Sequence, residues 1–400
     1  MNPYLEKLQP YPFERLRALL AGVEHRDGLA HIPLSLGEPK HPPPDFVVKA
    51  LMQEQQLAAQ LATYPATKGT EALREAICGW LQRRFEVSVD PSSGVLPVYG
   101  TREALFSVAQ ALLSGHPGSR VAMPNPFYQI YEGAALLAGA EPVFINGAPS
   151  AGGADSLASL GEDVLGAIEM VYICSPGNPT GEIMSAQQMQ NLIEAAHRYD
   201  FVIVSDECYA ELYFDDRRPP PSLLSASKAM GNPAYARCLA FHSLSKRSNL
   251  PGLRSGFVAG DPNLIQQFLC YRTYHGCALT PHHQHVSALA WADDEHVAAN
   301  RQLYRDKFAA VGPILEQQFS VEQPEAGFYH WLETPIDDQI FCQRLFSEQH
   351  ITTMPGSFLA RQSGSYNPGK NRVRLAWVAP MAQCIEAAER LVSFGRELSS

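Results

Sequence analysis

Short apolar runs recur along the chain at 95–99, 120–123, 142–145, 171–174, 201–205, 238–241 and 256–259. Runs of four or five residues without strict alternation suit strands buried on both faces. Several are separated by helical patterns, as at 102–114 and 186–199. Strands alternating with helices predict an α/β unit with a mostly parallel seven-stranded sheet and helices on both its faces. After about residue 290 the pattern changes. A long polar helix is expected over 293–318, then a short run at 327–332 and a carboxy-terminal helix over 381–397. The expected division is an amino-terminal arm and start of a small domain at 1–45, a large domain at 46–290, and a smaller α+β domain at 291–400. The arm is rich in proline, at Pro3, Pro10, Pro12, Pro33, Pro39 and Pro42 to Pro44. No internal repeat is visible, and the Pro/Gly/Ser clusters at 147–160 and 216–226 read as surface loops.

Composition narrows the class. Over 400 residues, 46% hydrophobic content against 18% charged residues indicates a large buried core. The net charge of −10 with no basic run to offset it argues against a general nucleic-acid binder. The cysteines, at 78, 174, 208, 238, 270, 277, 342 and 384, form no Cys-x-x-Cys pair, so they read as reduced thiols, mostly small core residues. The first residues show no basic region followed by an apolar core, and nowhere do about 18 apolar residues run together. A soluble, cytoplasmic protein is expected.

The candidate chemistry starts at Lys246, in Phe241-His-Ser-Leu-Ser-Lys-Arg-Ser-Asn-Leu-Pro-Gly-Leu-Arg254. A lysine can condense with an aldehyde to a Schiff base, while Ser243, Ser245 and Arg254 can hold a phosphate on the same molecule. Pyridoxal 5′-phosphate carries both groups. Two further segments follow apolar runs: Ser175-Pro-Gly-Asn178-Pro179 and the acid in Ser205-Asp206-Glu-Cys-Tyr209. A buried carboxylate beside a pyridine nitrogen favours the protonated ring, a better electron sink, and Asp206 is the candidate. Asn178 and Tyr209 can hydrogen-bond the ring's phenolic oxygen. Gly100, Asn178, Asp206 and Lys246 each follow a candidate strand, so they converge on one edge of the sheet, where open sheets gather ligands.

With these residues in place the chain resembles the fold-type I pyridoxal-phosphate enzymes of the class I/II aminotransferase family, over almost its whole length. The matching strings run in family order: Leu36-Gly37-Glu-Pro, Tyr64-Pro-Ala-Thr-Lys68-Gly69, Tyr99-Gly100-Thr101-Arg102, Pro126-Phe-Tyr128-Gln-Ile-Tyr131, the Asn178 turn, the Asp206 strand, the Lys246 loop and Asn371-Arg-Val-Arg374. The resemblance implies that Gly100, Thr101 and Arg102 offer donors to the cofactor phosphate at a helix amino terminus, which favours an anion. It implies that Tyr128 stacks on the ring, that Gly37, Asn178 and Arg374 bind substrate, with Arg374 forking onto the α-carboxylate, and that Tyr64 reaches the neighbouring subunit's phosphate in a homodimer with shared sites. Ping-pong amino transfer with Lys246 as proton carrier follows from the same resemblance.

Within the family, the strings from Ser35 to His41, Phe241 to Asp261 and Tyr271 to Cys277 look most like the bacterial branch acting on N-succinyldiaminopimelate, in lysine and cell-wall precursor synthesis. A long substrate with extra carboxylates needs cations beyond Arg374, for which Lys68, Arg102, Arg247 and Arg272 are candidates. Aspartate, alanine or aromatic amino acids remain alternative donors. A carbon–sulfur β-lyase would share nearly all these motifs, and a non-catalytic cofactor-sensing domain is the remaining class. His282, His283 and His285 lack a cysteine or acid at ligand spacing and read as a polar loop or helix start, and no metal is expected. No Walker loop and no Gly-x-Gly-x-x-Gly after a strand is present.

Overall fold

The computed structural model describes residues 2–146, 157 and 159–399. Most of the predicted 147–160 loop lies outside them. All seven expected strands form, in one sheet. Numbered along the chain, β1 is Ile32–Pro33, and the large sheet consists of β2 (Val95–Val98), β3 (Arg120–Asn125), β4 (Glu141–Asn146), β5 (Ile168–Cys174), β6 (Val202–Asp206), β7 (Cys238–Ser243) and β8 (Gly256–Gly260). Their order is β2-β8-β7-β6-β5-β3-β4. The pairs from β7 through β6, β5 and β3 to β4 are parallel, while β8 runs antiparallel to both its neighbours. Separate apolar clusters cover the two faces, which is why β6 and β7 read as unbroken apolar runs.

A second, smaller sheet orders β11 (Met354–Pro355), β12 (Arg372–Ala376) and β9 (Tyr329–Glu333), all antiparallel, and carries its own core. The arm is held by a separate two-stranded sheet, in which β1 pairs in parallel with β10 (Ile351–Thr352). The expected helices are present as Thr101–Leu112, Ala186–Tyr199 and Met381–Ser399.

Two expectations change. The helix expected over 293–318 spans Glu295–Leu315, and it is not polar all round: Val297, Asn300, Tyr304, Lys307, Phe308 and Val311 make a buried face. Part of the 216–226 loop is a helix, Leu223–Ala229. The Ser222 hydroxyl accepts from the Leu224 N–H at its start, and Leu223 and Leu224 are buried. A serine-rich run marked a helix cap there. Four cysteines, Cys174, Cys238, Cys342 and Cys384, are core residues; Cys78, Cys208 and Cys277 are half-buried and Cys270 is exposed, and all eight are free. Among the described residues, no helix is long and apolar enough to cross a membrane.

Candidate active site

The carboxyl ends of the parallel strands open onto a cavity of about 550 Å³, closed on its other side by the arm and by β9 and β12. At one end lies the amino terminus of the helix Thr101–Leu112, whose first N–H groups have no partner within the helix. Gly100 stands before it at φ 81°, and a Cβ there would overlap the Arg254 guanidinium. Glycine is therefore what lets Arg254 close on the helix terminus. Arg254 donates to the Pro251 carbonyl at 2.9 Å and has no carboxylate partner among the described residues. Ser243 and Ser245, hydroxyl to hydroxyl at 3.0 Å, line the same end with Thr101 and Arg102. Two serines, a threonine, a helix terminus and an unpaired guanidinium form a site for a dianion.

Deeper in, β6 ends at Asp206. Its carboxylate accepts from the Tyr131 hydroxyl at 2.7 Å and from the Cys208 N–H at 3.2 Å. Burial raises its pKa, and the two donors oppose that shift. Lys246 follows β7, in the one-turn helix Leu244–Arg247, and its Nζ donates to the Gly37 carbonyl. Its pKa is lowered from 10.5 to about 8, chiefly by burial, with Arg374 and Arg254 acting in the same direction and Cys208 and Glu38 opposing. Tyr128 and Tyr209 line the cavity between these groups. Burial, then the neighbouring Tyr329, push the Tyr209 hydroxyl well above the usual phenol range, so it stays a donor.

At the far end Arg374, on β12, donates to the Asn178 side-chain oxygen at 3.0 Å and to the Ser35 carbonyl at 2.8 Å. Its guanidinium lies 4.5 Å from the centre of the Tyr329 ring. Tyr329 also meets the Tyr209 hydroxyl at 3.0 Å and packs so closely on Gly37 that a Cβ there would overlap its hydroxyl.

The fold thus brings together Gly37, Thr101, Arg102, Tyr128, Asn178, Asp206, Tyr209, Ser243, Ser245, Lys246, Arg254 and Arg374 around one cavity, with Gly100 behind Arg254. Tyr64 is 98% exposed and lies outside the lining of its own chain. Two candidate entrance cations are corrected. Arg247 is buried against Trp80 and Trp291, 5.4 and 4.9 Å from their rings, and pairs with Asp294. Arg272 is fully buried and holds both Glu103 oxygens at 2.8 Å. Both guanidiniums are engaged through their terminal nitrogens inside the protein, and neither lines the cavity. Lys68 is half-buried outside the lining. Arg102 remains, exposed and facing the Tyr11 ring at 5.1 Å.

Sequence reasoning missed Tyr329, the role of Tyr131, and the arm residues Tyr11, Pro12 and Phe13 that wall the cavity. Tyr131 and the 327–332 run were visible as motifs, but nothing in their spacing points to partners far along the chain. His282, His283 and His285 lie on the helix Pro281–Ala292. Among the described residues the group spaced to hold a metal is instead Glu103, His275 and Cys277, although Glu103 is already engaged by Arg272.

A mostly parallel seven-stranded sheet with a lysine, a buried acid and an anion cradle at its carboxyl edge defines a fold-type I transferase that uses pyridoxal 5′-phosphate. The comparisons place it further: residues 30–391 match the family model for aminotransferases of class I and II, and the chain belongs to that family. An aminotransferase structure from Neisseria meningitidis is 45% identical, with a TM-score of 0.93 over 99% of this chain and 100% of that one. A 4-dedimethylamino-4-oxo-anhydrotetracycline transaminase of Streptomyces rimosus is 36% identical, covering 92% of this chain and 94% of its own. An LL-diaminopimelate aminotransferase of Desulforudis audaxviator is 28% identical, over 97% and 96% respectively.

The protein is therefore a pyridoxal-phosphate-dependent aminotransferase, and its residues fit the cofactor. The uncompensated Arg254 beside the helix terminus suits the phosphate, and the acceptor-only Asp206 carboxylate suits a protonated ring nitrogen.

Proposed function

We propose that this aminotransferase exchanges an amino group between glutamate with its oxo acid, 2-oxoglutarate, and N-succinyl-2-amino-6-oxopimelate with its amine, N-succinyl-LL-2,6-diaminopimelate, a step of lysine and diaminopimelate synthesis. The observation that carries the reading is that, beyond Arg254 at the anion cradle, two further guanidiniums of the cavity have no carboxylate partner among the described residues. Arg374 is aimed into the cavity for an α-carboxylate, and Arg102, exposed at the helix-terminus end, has no carboxylate partner among the described residues. Both proposed substrates carry a carboxylate beyond the α one. A charged hydrogen bond of this kind contributes about 1.5–3 kcal/mol, roughly ten- to hundredfold in preference. Similarity to an LL-diaminopimelate aminotransferase, named for the unsuccinylated compound, supports a diaminopimelate-type amine.

In this reading Lys246 holds the cofactor and, once released, its Nζ takes the proton from the substrate α-carbon. A pKa near 8 makes that amine easy to deprotonate. Bound pyridoxal phosphate supplies the aldehyde and the electron-accepting ring. Asp206 keeps the ring nitrogen protonated, and Tyr131 and the Cys208 N–H hold its carboxylate in place. With the cofactor bound, Asn178 and Tyr209 would hydrogen-bond its phenolic oxygen, Tyr128 would stack on its ring, and the groups around Arg254 would hold its phosphate. Tyr64 serves the partner's site in a homodimer. The same reading divides the chain at 45/46 and 290/291, which the separate apolar cores support apart from Tyr209 and Leu212, which join the second core, and Trp291, which joins the first. Turnover of glutamate only in the presence of an oxo-acid acceptor indicates transfer, whereas thiol release from a β-thio amino acid such as cystathionine without any acceptor would indicate β-elimination.

A further inference from the structure

The buried face of the helix Glu295–Leu315 carries polar residues that the catalytic chemistry leaves unused. Asn300, Tyr304 and Lys307 stand at i, i+4 and i+7, one stripe of a helix. Lys307 is 3% and Asn300 4% exposed. Over that stripe lies His41, six residues after Ser35 in the arm, its ring 4.7 Å from that of Tyr304.

Their hydrogen bonds form one chain. Lys307 Nζ is 2.7 Å from His41 Nε2, His41 Nδ1 is 3.2 Å from Asn300 Oδ1, and Asn300 Nδ2 donates to the Lys246 carbonyl at 3.1 Å and the Arg247 carbonyl at 3.2 Å. An ammonium can only donate, so His41 Nε2 must accept and Nδ1 must carry the proton. Nδ1–H then donates to Asn300 Oδ1, which also accepts from Asn249 Nδ2 at 2.7 Å, and this turns the Asn300 amide N–H groups toward the two carbonyls. The direction of every link is set by the lysine. The groups facing Lys307 are His41, Tyr304, Cys384 on the carboxy-terminal helix and the Val378 carbonyl at 3.3 Å; no carboxylate pairs with it among the described residues.

The far end of the chain is the one-turn helix that presents Lys246. A helix leaves its last carbonyls without intrahelical partners, and in four residues it has no further turn to stiffen it. Asn300 satisfies the two carbonyls at and after Lys246 itself. On the other side Lys246 Nζ touches the Gly37 carbonyl, in the arm segment that His41 ends. The lysine is thus held between two points that the same chain connects.

We propose that Lys307, His41 and Asn300 form a polarised relay that positions Lys246, with Lys307 fixing the tautomer of His41 and Asn300 clamping the lysine's backbone. These are positioning residues: none touches substrate or cofactor. This concerns the lysine alone and holds whatever the amino-acid substrate is.

The test uses the full chain stripped of cofactor and reloaded with pyridoxal 5′-phosphate, following the rate at which Lys246 Nζ condenses with the aldehyde and releases water. Three variants are compared with the parent, and thermal unfolding is recorded alongside. His41→Gln preserves the polarity of the relay, because its amide oxygen can accept from Lys307 and its NH₂ can donate to Asn300. His41→Phe keeps the ring and breaks both links. The expected result is condensation about tenfold slower in His41→Phe and within about twofold of the parent in His41→Gln. Asn300→Asp, of the same shape, loses the donors to the two carbonyls and is expected to slow condensation similarly even if His41→Phe does not fold. Equal slowing by His41→Gln and His41→Phe, or a parent-like rate in Asn300→Asp, would overturn the relay.

Discussion

Arg374 and Asn178 meet over the cavity, Nη1 to Oδ1 at 3.0 Å, although one lies on a small-sheet strand and the other in the turn after β5. A residue expected on the substrate carboxylate and one expected on the cofactor's phenolic oxygen therefore share a hydrogen bond. In the proposed reading, this bond would tie substrate binding at Arg374 to the cofactor's phenolic oxygen, and the Tyr209–Tyr329 contact lies beside it.

The first consequence concerns the covalent attachment. The parent protein should be yellow and, after borohydride, should carry the cofactor on Lys246. Lys246→Ala should fold as a dimer and retain none covalently. Peptide mapping decides it; a label on another lysine defeats the assignment.

Titration of Lys246 gives a second. Its folded pKa, about 8, lies below the ordinary 10.5 because burial penalises the cation. The neutral amine attacks the aldehyde, so the attachment rate in stripped protein should rise with pH and level off just above about pH 8. The linkage sign follows: a depressed lysine pKa costs stability where both states are charged, below about pH 8, and the cost fades toward pH 10.5. Stripped Lys246→Met should therefore unfold at a higher temperature than the parent at about pH 6, the gap narrowing as pH rises. A constant gap contradicts it.

Shared sites give a third. Tyr64, 98% exposed, has no role in its own chain's cavity. Mixing inactive Lys246→Ala subunits with inactive Tyr64→Phe subunits should restore part of the activity, since a mixed dimer contains one intact site. No recovery, with subunit exchange confirmed by mass, argues for sites built from one chain.

Arg102 gives a fourth. Arg102→Gln should lower kcat/KM for the succinylated acceptor about ten- to hundredfold. Cofactor attachment should persist, because backbone N–H groups of the helix terminus still face the phosphate. Steady-state kinetics on the two substrates would show it, and an unchanged kcat/KM removes Arg102 from substrate binding.

The site was legible where it depends on strand ends. Gly100, Asn178, Asp206 and Lys246 each follow an apolar run, and parallel strands deliver their carboxyl ends to one edge, so local pattern was enough to gather them. It was not legible where partners are distant. Tyr329 meets Tyr209 across 120 positions and Tyr131 meets Asp206 across 75, and neither spacing has a period. Arg247 and Arg272 show the opposite failure: their positions in motif segments suggest a wet entrance, whereas two tryptophans enclose one and Glu103 neutralises the other. The helix Glu295–Leu315 looked polar because its buried stripe is itself polar at Asn300 and Lys307.

The most direct test of the proposed reaction is kcat/KM for each oxo-acid acceptor with glutamate as donor: N-succinyl-2-amino-6-oxopimelate, oxaloacetate, pyruvate and phenylpyruvate. Arg374 and Arg102, without carboxylate partners among the described residues and at opposite ends of the cavity, predict that the succinylated acceptor exceeds the others by about tenfold or more. A preference for oxaloacetate, pyruvate or phenylpyruvate would contradict the assignment and leave the protein an aminotransferase of another amino acid.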